Sequence, residues 1–513
     1  MLSSSLFYKK ATVFLVLFSV IAVLFVFAIN AYPVPGGDSI LYVPAAINIR
    51  LGNGFINQLS PAFLSGDPTG TGKFLSLPPL WPIFLSWFMP GNTSQDAYMV
   101  MFVIYAITIL LASFIYRKII IPDWQKASWY RIAIYVFSLF SLAAIIIFYP
   151  GRPETLSRLF IVISFFGLLF PYKKWLWLFL GILMGLNIAV QPGPAILFAP
   201  LIGIFFAFHY DTKKALRLTF LAYITSIITF VGVIEIFSYG IASVLHGLYR
   251  HFFVVNSGNL GDHLQPIKIM FPSFLSKKFF VGLITILTTS GSAAFAGSVF
   301  TSSLICAIDF YRRFKSKIVA HGPFYLFSFM MAGALFLFFF LRPVSYYMLA
   351  LVPLYLLIVS YYSTNIITSK ILKSATLTII ALSSIVFFHR IALFPFFLKS
   401  GTSLEEARAN FLSLSLKSDE RIGVDGTIWP ISENYDQMYL WGDAEDVEYP
   451  TGTIIMREGL NGWTELPEKW GYCRKTKDFS THKKPVVFGF ALTNAMPGYA
   501  FNVYDCSSGP PHL

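Results

Sequence analysis

Four short polar segments interrupt an otherwise apolar chain, and each carries a side chain able to move a proton or hold an anion. Asp38 lies in Gly36-Gly37-Asp38-Ser39, and Lys73 runs into Pro78-Pro79-Leu80-Trp81-Pro82. Arg152 and Glu154 share Gly151-Arg152-Pro153-Glu154, and Arg342 leads into Tyr346-Tyr347. A carboxylate can take a proton from a hydroxyl. An arginine offers phosphate a bidentate fork, and a lysine offers a compact charge. A carboxylate at a membrane surface, followed by a lysine and a Pro-Pro-aromatic segment, is what an enzyme needs to work on a lipid-carried substrate.

The elements that must position these residues are membrane helices. Of 513 residues, 56% are hydrophobic and only 12% charged, about half the charged share of a soluble globular protein. Runs of about 20 apolar residues recur, long enough to cross a hydrocarbon core of about 30 Å. The first, 11–30, follows Lys9-Lys10 but is too long for a signal-peptide core, so it reads as an anchor. Further spans are expected at 97–116, 132–149, 158–171, 175–190, 195–208, 217–238, 292–311, 322–341, 346–362 and 374–391. That makes about 11 transmembrane helices, since backbone polar groups cannot stay unpaired in lipid.

Basic residues orient them. Lys9-Lys10, Arg117-Lys118 with Lys126 and Arg131, Lys173-Lys174, Lys213-Lys214, Arg312-Arg313 and Lys370 with Lys373 fall in alternate turns. By the positive-inside rule these turns and the N-terminus are cytoplasmic, which leaves the C-terminus extracytoplasmic. Topology and anionic headgroups thereby account for the net charge of +13, and no nucleic acid is required as a partner. Lean loops favour a bacterial inner (plasma) membrane.

In the first outer loop, residues 40–51 are amphipathic and stop at Gly52-Asn53-Gly54, while the apolar run after Trp81 is too short to cross. Two interfacial helices are expected there, walling a pocket with Asp38 at one lip and Lys73 on another. After about residue 400 the chain changes character. Acidic residues crowd in, and short alternating runs such as 421–425 and 486–490 are separated by turn signals. The fold class expected is therefore an all-α polytopic membrane domain over 1–400 with a small extracytoplasmic α+β domain over 401–513. Cys473 and Cys506 both fall in this tail. A disulfide between them fits an oxidising compartment, with two free thiols as the alternative.

In this order the motifs resemble the GT-C superfamily, the multi-spanning glycosyltransferases that use polyprenyl-phosphate sugars. The chain is most similar to the protein O-mannosyltransferase and lipid A aminoarabinose transferase group. The resemblance is carried by the acidic motif after the first span, the Lys73…Pro78-Pro79-Leu80-Trp81-Pro82 element and the acidic second loop. Arg342…Tyr346-Tyr347 with Pro353 adds a later echo. Many relatives have Asp-Glu where this chain has Asp38-Ser39, which bears on the acceptor class.

The resemblance implies transfer of a hexosyl or pentosyl group, with inversion, from a polyprenyl-phosphate sugar to a hydroxyl of a lipid, glycan or protein. It implies Asp38 as general base, Glu154 orienting the acceptor or assisting Asp38, and Lys73, Arg342 and Arg152 on the donor phosphate. Membrane lipid is the surrounding partner. No cofactor is certain, and a divalent cation is the one candidate.

Plainer readings stand beside these. Asp38 could be a polar turn residue, Lys73 and Arg342 could snorkel to headgroups, and Arg152 could simply pair with Glu154 at the surface. Glu235 either faces a cavity or sits nearer the membrane surface than its span suggests. His246, His251 and His263 lack metal-ligand spacing. The rival function class is a polytopic transporter or a flippase for lipid-linked sugars. Against it, Gln191-Pro192-Gly193-Pro194 has no counterpart in the other half, and the polar features gather on one side.

Overall fold

The computed structural model describes residues 2–33, 39–57, 79–146, 151–168, 173–249, 352–399, 403–417, 420–426, 428–439, 452–457, 470–479, 486–487, 490–491 and 498–508. Apolar runs form long helices first. The helix α1 (Leu2–Ile29) is followed by two short ones, α2 (Ser39–Arg50) and α3 (Leu80–Phe88). Then come α4 (Ser94–Ile120), α5 (Trp129–Ile146), α6 (Glu154–Leu168), α7 (Leu176–Val190), α8 (Pro192–His209) and α9 (Thr212–Phe237). A short α10 (Ile241–Tyr249) precedes α11 (Val352–Asn365) and the long α12 (Lys370–Lys399).

Among the described residues, three helices are long and apolar enough to cross a membrane, over Leu6–Ile29, Ser94–Ile120 and Thr212–Phe237. These three fall on the expected spans at 11–30, 97–116 and 217–238. Six other expected spans coincide with helices, but α6 and α7 have only 15 residues each, about 22 Å at 1.5 Å per residue. The expected spans at 292–311 and 322–341 lie outside the described residues, as do Arg312-Arg313, His251 and His263.

Antiparallel neighbours bring the basic turns to one end of the bundle. There the Lys9 ammonium donates to Ala127 O (2.7 Å), and Arg131 donates to Ile120 O (2.7 Å) and Asn365 Oδ1 (3.0 Å). The helix α7 lies against α9 through Gly181 and Gly185. A Cβ at these positions would come within 2.6 Å of Ala222 O and 2.4 Å of Ser226 O. This spacing of small residues lets helix backbones approach where no hydrophobic effect drives them together. Glu235 sits in the last turn of α9, exposed, and accepts the backbone N–H of Ile241 at 2.8 Å. Its carboxylate caps the turn into α10.

At the other end lie α2 and α3 with the C-terminal elements. The expected interfacial pair does form as helices, but α2 is buried from Ser39 through Ala46. Arg50 ties it to α3 by donating to Ser86 O at 3.2 Å, and Asn57 donates to Ile40 O and Leu41 O at 2.8 and 2.9 Å. The tail begins with α13 (Leu404–Leu412), capped by Ser403. Its five-stranded sheet has the order β2-β1-β3-β7-β4. In that sheet β1 (Ile422–Val424) runs parallel to β2 (Gln437–Tyr439) and β3 (Thr453–Arg457), while β7 (Phe501–Asp505) is antiparallel to β3 and β4 (Arg474–Phe479). A separate pair joins β5 (Val486–Val487) to β6 (Phe490–Ala491). Cys473 and Cys506 are disulfide-bonded beside the paired ends of β4 and β7, where Arg474 faces Asp505.

Candidate functional site

Glycine at 151 makes the turn that opens the site. Its φ of +95° is left-handed backbone that side-chain-bearing residues avoid, and its carbonyl accepts the Trp81 indole N–H at 3.1 Å. The turn delivers Arg152 and then Glu154 at the first position of α6. Both side chains are buried, Arg152 8% and Glu154 1% exposed. The guanidinium grips the carboxylate by two bonds, Nε to Oε2 and Nη2 to Oε1, each 3.2 Å. Pairing of Arg152 with Glu154 was the plainer expectation, but it was placed at the surface. Here it is interior.

A third donor comes from α7. Gln191, just past the helix, donates Nε2 to Glu154 Oε1 at 2.8 Å. Because α6 and α7 run antiparallel, the next turn of α6 is level with the last turn of α7. In that turn of α6 come Ser157 and Arg158, and Asn187 lies in the last turn of α7. Arg158 is 1% and Asn187 2% exposed. The Nε and Nη1 of Arg158, the Oγ of Ser157, the Oδ1 of Asn187 and the Oε1 of Gln191 are all buried without a hydrogen-bond partner. Native interiors leave few polar atoms in this state, and each asks for an explanation.

On the other side, Thr155 donates to the Tyr105 hydroxyl at 3.5 Å. Tyr105 also borders a narrow cleft between α1 and α4, whose walls include Ala31, Tyr32, Pro33 and Tyr98. The cleft therefore runs from the residues just before the Asp38 motif to Tyr105, the hydrogen-bond partner of Thr155.

Asp38, Lys73 and Arg342 lie outside the described residues, so of the expected site only Arg152, Glu154 and the tail cysteines are placed. Arg158, Gln191 and Tyr105 belong to the cluster and were not expected there. A signal existed for Arg158, a charge at the head of the apolar run 158–171, since an ionisable residue inside a membrane helix is costly and tends to be functional. Asn187 and Gln191 gave only a weak one, because single amides in apolar helices are common.

The flanks of residues 34–38 are held by the tail. Tyr499 donates its hydroxyl to Ala31 O at 3.0 Å, and the Trp429 indole donates to Ser39 Oγ at 3.4 Å. Arg408 pairs with Glu433, and Glu433 accepts the Ser94 backbone N–H at 2.9 Å at the start of α4.

Among the described residues no group of three or more His, Cys, Asp or Glu side chains converges as a metal site. The carboxylate of Glu154 is engaged by Arg152 and Gln191.

No family model matches the chain, and no curated protein matches it. Among solved structures it is similar to the Archaeoglobus fulgidus oligosaccharyltransferase. In its apo form that protein superposes with a TM-score of 0.44 at 11% identity, over 82% of this chain and 64% of that one. Its complex with Zn and sulfate gives 0.42 at 13% identity, over 82% and 62%. The archaeal oligosaccharyltransferase AglB from Archaeoglobus fulgidus, in complex with an inhibitory peptide and a dolichol-phosphate, gives 0.44 at 13%, over 84% and 64%. This chain spans less than two thirds of the length of those proteins. Likeness at this level says nothing about chemistry, which rests on the residues themselves.

Proposed function

We propose that this chain is a membrane glycosyltransferase of the GT-C kind, moving a sugar from a polyprenyl-phosphate donor to an acceptor hydroxyl on the extracytoplasmic face. The observation that carries the reading is the buried Arg152–Glu154–Gln191 cluster, joined through Thr155 and Tyr105 to a cleft that begins beside the Asp38 segment. Two guanidinium groups, a carboxylate and a set of unpaired polar atoms at the end of an apolar bundle suit a charged headgroup on an apolar tail. Charge placed there is stabilised more strongly than in water.

In this scheme the phosphate leaves as the acceptor oxygen attacks from the opposite face, which inverts the anomeric carbon. Asp38 takes the acceptor proton, and Lys73, Arg152 and Arg342 offset the charge that grows on the phosphate. Glu154, already accepting three hydrogen bonds, serves better to hold Arg152 and the acceptor in place than to take the proton itself. A divalent cation is the one candidate cofactor. The sugar is a hexosyl or pentosyl group, and the acceptor is a lipid, a glycan or a protein. The N-terminus is cytoplasmic in an inner membrane, and residues 401–513 form an extracytoplasmic domain over the site.

The test is transfer from radiolabelled polyprenyl-phosphate sugars by the purified full-length protein and by Asp38→Asn. Transfer that vanishes in a folded Asp38→Asn protein supports both the activity and the base. Equal transfer by the two proteins removes Asp38 from the mechanism. Absence of transfer with every donor, together with flipping of donor lipid in vesicles, would favour the transporter class.

A further inference from the structure

The helices α7 and α9 run side by side in the same direction, with Gly181 level with Ala222 and Thr225, and Gly185 level with Ser226 and Thr229. Carried back to the first turns, this register sets Leu176 level with about residue 217. The turn before α7 and the start of α9 therefore share one end of the bundle. There Lys173 and Lys174 come together with Lys213, Lys214 and Arg217, and all five are exposed. In residues 169–175 and 209–217 the one acid is Asp211, whose Oδ1 accepts the backbone N–H of Lys214 at 3.0 Å as the cap of α9. Among the described residues none of the five cations enters an ion pair. The Lys214 ammonium lies 4.4 Å from the centre of the Tyr210 ring, which holds its charge at this end.

Further along, the same two helices turn apolar side chains outward. Leu178 and Ile182 of α7 and Phe220 and Ile224 of α9 are exposed. The other side of the α7–α9 seam is covered by α8, where Thr219 and Tyr223 of α9 meet Gly203 and Ala199. At 3.6 residues per turn, both exposed stripes fall on the side away from α8. Trp175, exposed at the foot of α7, is of the residue type that settles at headgroup level.

We propose that this end of α7 and α9 binds an anionic phospholipid, its phosphate among the five cations and its acyl chains along Leu178, Ile182, Phe220 and Ile224. Basic turns attract anionic headgroups in general. Here the charge adjoins a fixed apolar surface, which turns a diffuse attraction into a site that saturates. The site lies at the other end of α7 from Gln191, and it does not rest on the glycosyltransferase reading.

The experiment is thermal unfolding of the full-length protein in a neutral detergent, with phosphatidylglycerol, phosphatidylcholine or glycerol phosphate added. In the wild type phosphatidylglycerol should raise Tm to a plateau, since a ligand that binds the folded state stabilises it. Phosphatidylcholine lacks the net charge and glycerol phosphate lacks the tails, so neither should do so. High salt should weaken the response, because exposed charges are screened. In the variant Lys173→Gln/Lys174→Gln/Lys213→Gln/Lys214→Gln/Arg217→Gln the affinity for phosphatidylglycerol should fall at least about tenfold.

The control removes three exposed cations carried by α1, α4 and the turn after α4, as Lys10→Gln/Lys118→Gln/Lys126→Gln. It should keep the wild-type affinity within about twofold. An undiminished response in the five-fold variant, or an equal loss in the control, overturns the site and leaves only diffuse attraction. An equal rise with phosphatidylcholine or with glycerol phosphate overturns the assignment to an anionic lipid. If the five-fold variant does not fold, Lys174→Gln/Arg217→Gln decides, and wild-type affinity in that pair also overturns the site.

Discussion

The hydroxyl of Tyr499 donates to the backbone carbonyl of Ala31 at 3.0 Å, across 468 positions of sequence. Trp429 reaches Ser39 in the same way, so the segment 34–38 that carries Asp38 enters and leaves through residues tied to the C-terminal region. The tail is built into the site end of the bundle.

Removing the first of these ties should separate positioning from folding. Tyr499→Phe deletes the hydroxyl that bonds Ala31 O and keeps the ring, for a loss of about 1 kcal/mol per hydrogen bond removed. In transfer assays kcat should fall several-fold with little change in donor KM. Unfolding curves measured alongside should shift only slightly. A fall in stability large enough to explain the lost turnover would remove the positioning role.

The Arg152–Glu154 pair should behave as a buried pair does. Glu154→Ala takes away the carboxylate that Arg152 grips by two bonds and should destabilise by about 3–5 kcal/mol. The double variant Arg152→Met/Glu154→Leu should recover most of that stability while remaining inactive. Denaturation and transfer measured on all three variants would show whether the pair is kept for function.

Close packing of α7 on α9 sets where Asn187 and Gln191 stand. Gly185→Ala would drive a methyl toward Ser226 O, which lies 2.4 Å from the position of the added carbon, and should cost about 1–3 kcal/mol. Gly232→Ala is the control. It lies in α9 with nothing within 4 Å and should be neutral or stabilise by up to about 1 kcal/mol. Thermal unfolding in detergent separates the two. Equal effects would mean that the α7–α9 contact is looser than the geometry shows.

Loss of the Cys473–Cys506 disulfide should loosen the tail rather than the bundle. The cysteines are 33 residues apart, and closing such a loop is worth about 4 kcal/mol on the chain-entropy model. Cys473→Ala/Cys506→Ala should therefore expose the sheet to proteolysis while the bundle helices remain intact. Limited digestion followed by circular dichroism reads both parts.

Much of this architecture was legible along the chain, because the properties involved are local. Apolar runs and basic turns announced α1, α4 and α9 and the basic end, since hydropathy and charge are summed over neighbours in sequence. The tail's strands at 422–424 and 486–487 were visible as short alternating runs, but their partners were not. Strand order β2-β1-β3-β7-β4 joins segments far apart in sequence, and nothing local encodes it.

The sequence by itself determined that this is an apolar, helical chain of membrane type, with carboxylates and cations in a few turns and a compositionally distinct tail. Only the tertiary structure decided which of those charges meet. Arg152 and Glu154, two residues apart, gained their meaning from burial, and Gln191 reached Glu154 because α7 returns alongside α6. Arg158 became notable because the fold buried its Nε and Nη1 without a hydrogen-bond partner among the described residues. Whether a charge is solvated, paired or stranded depends on the dielectric and the neighbours that packing supplies, and those come from residues tens to hundreds of positions away.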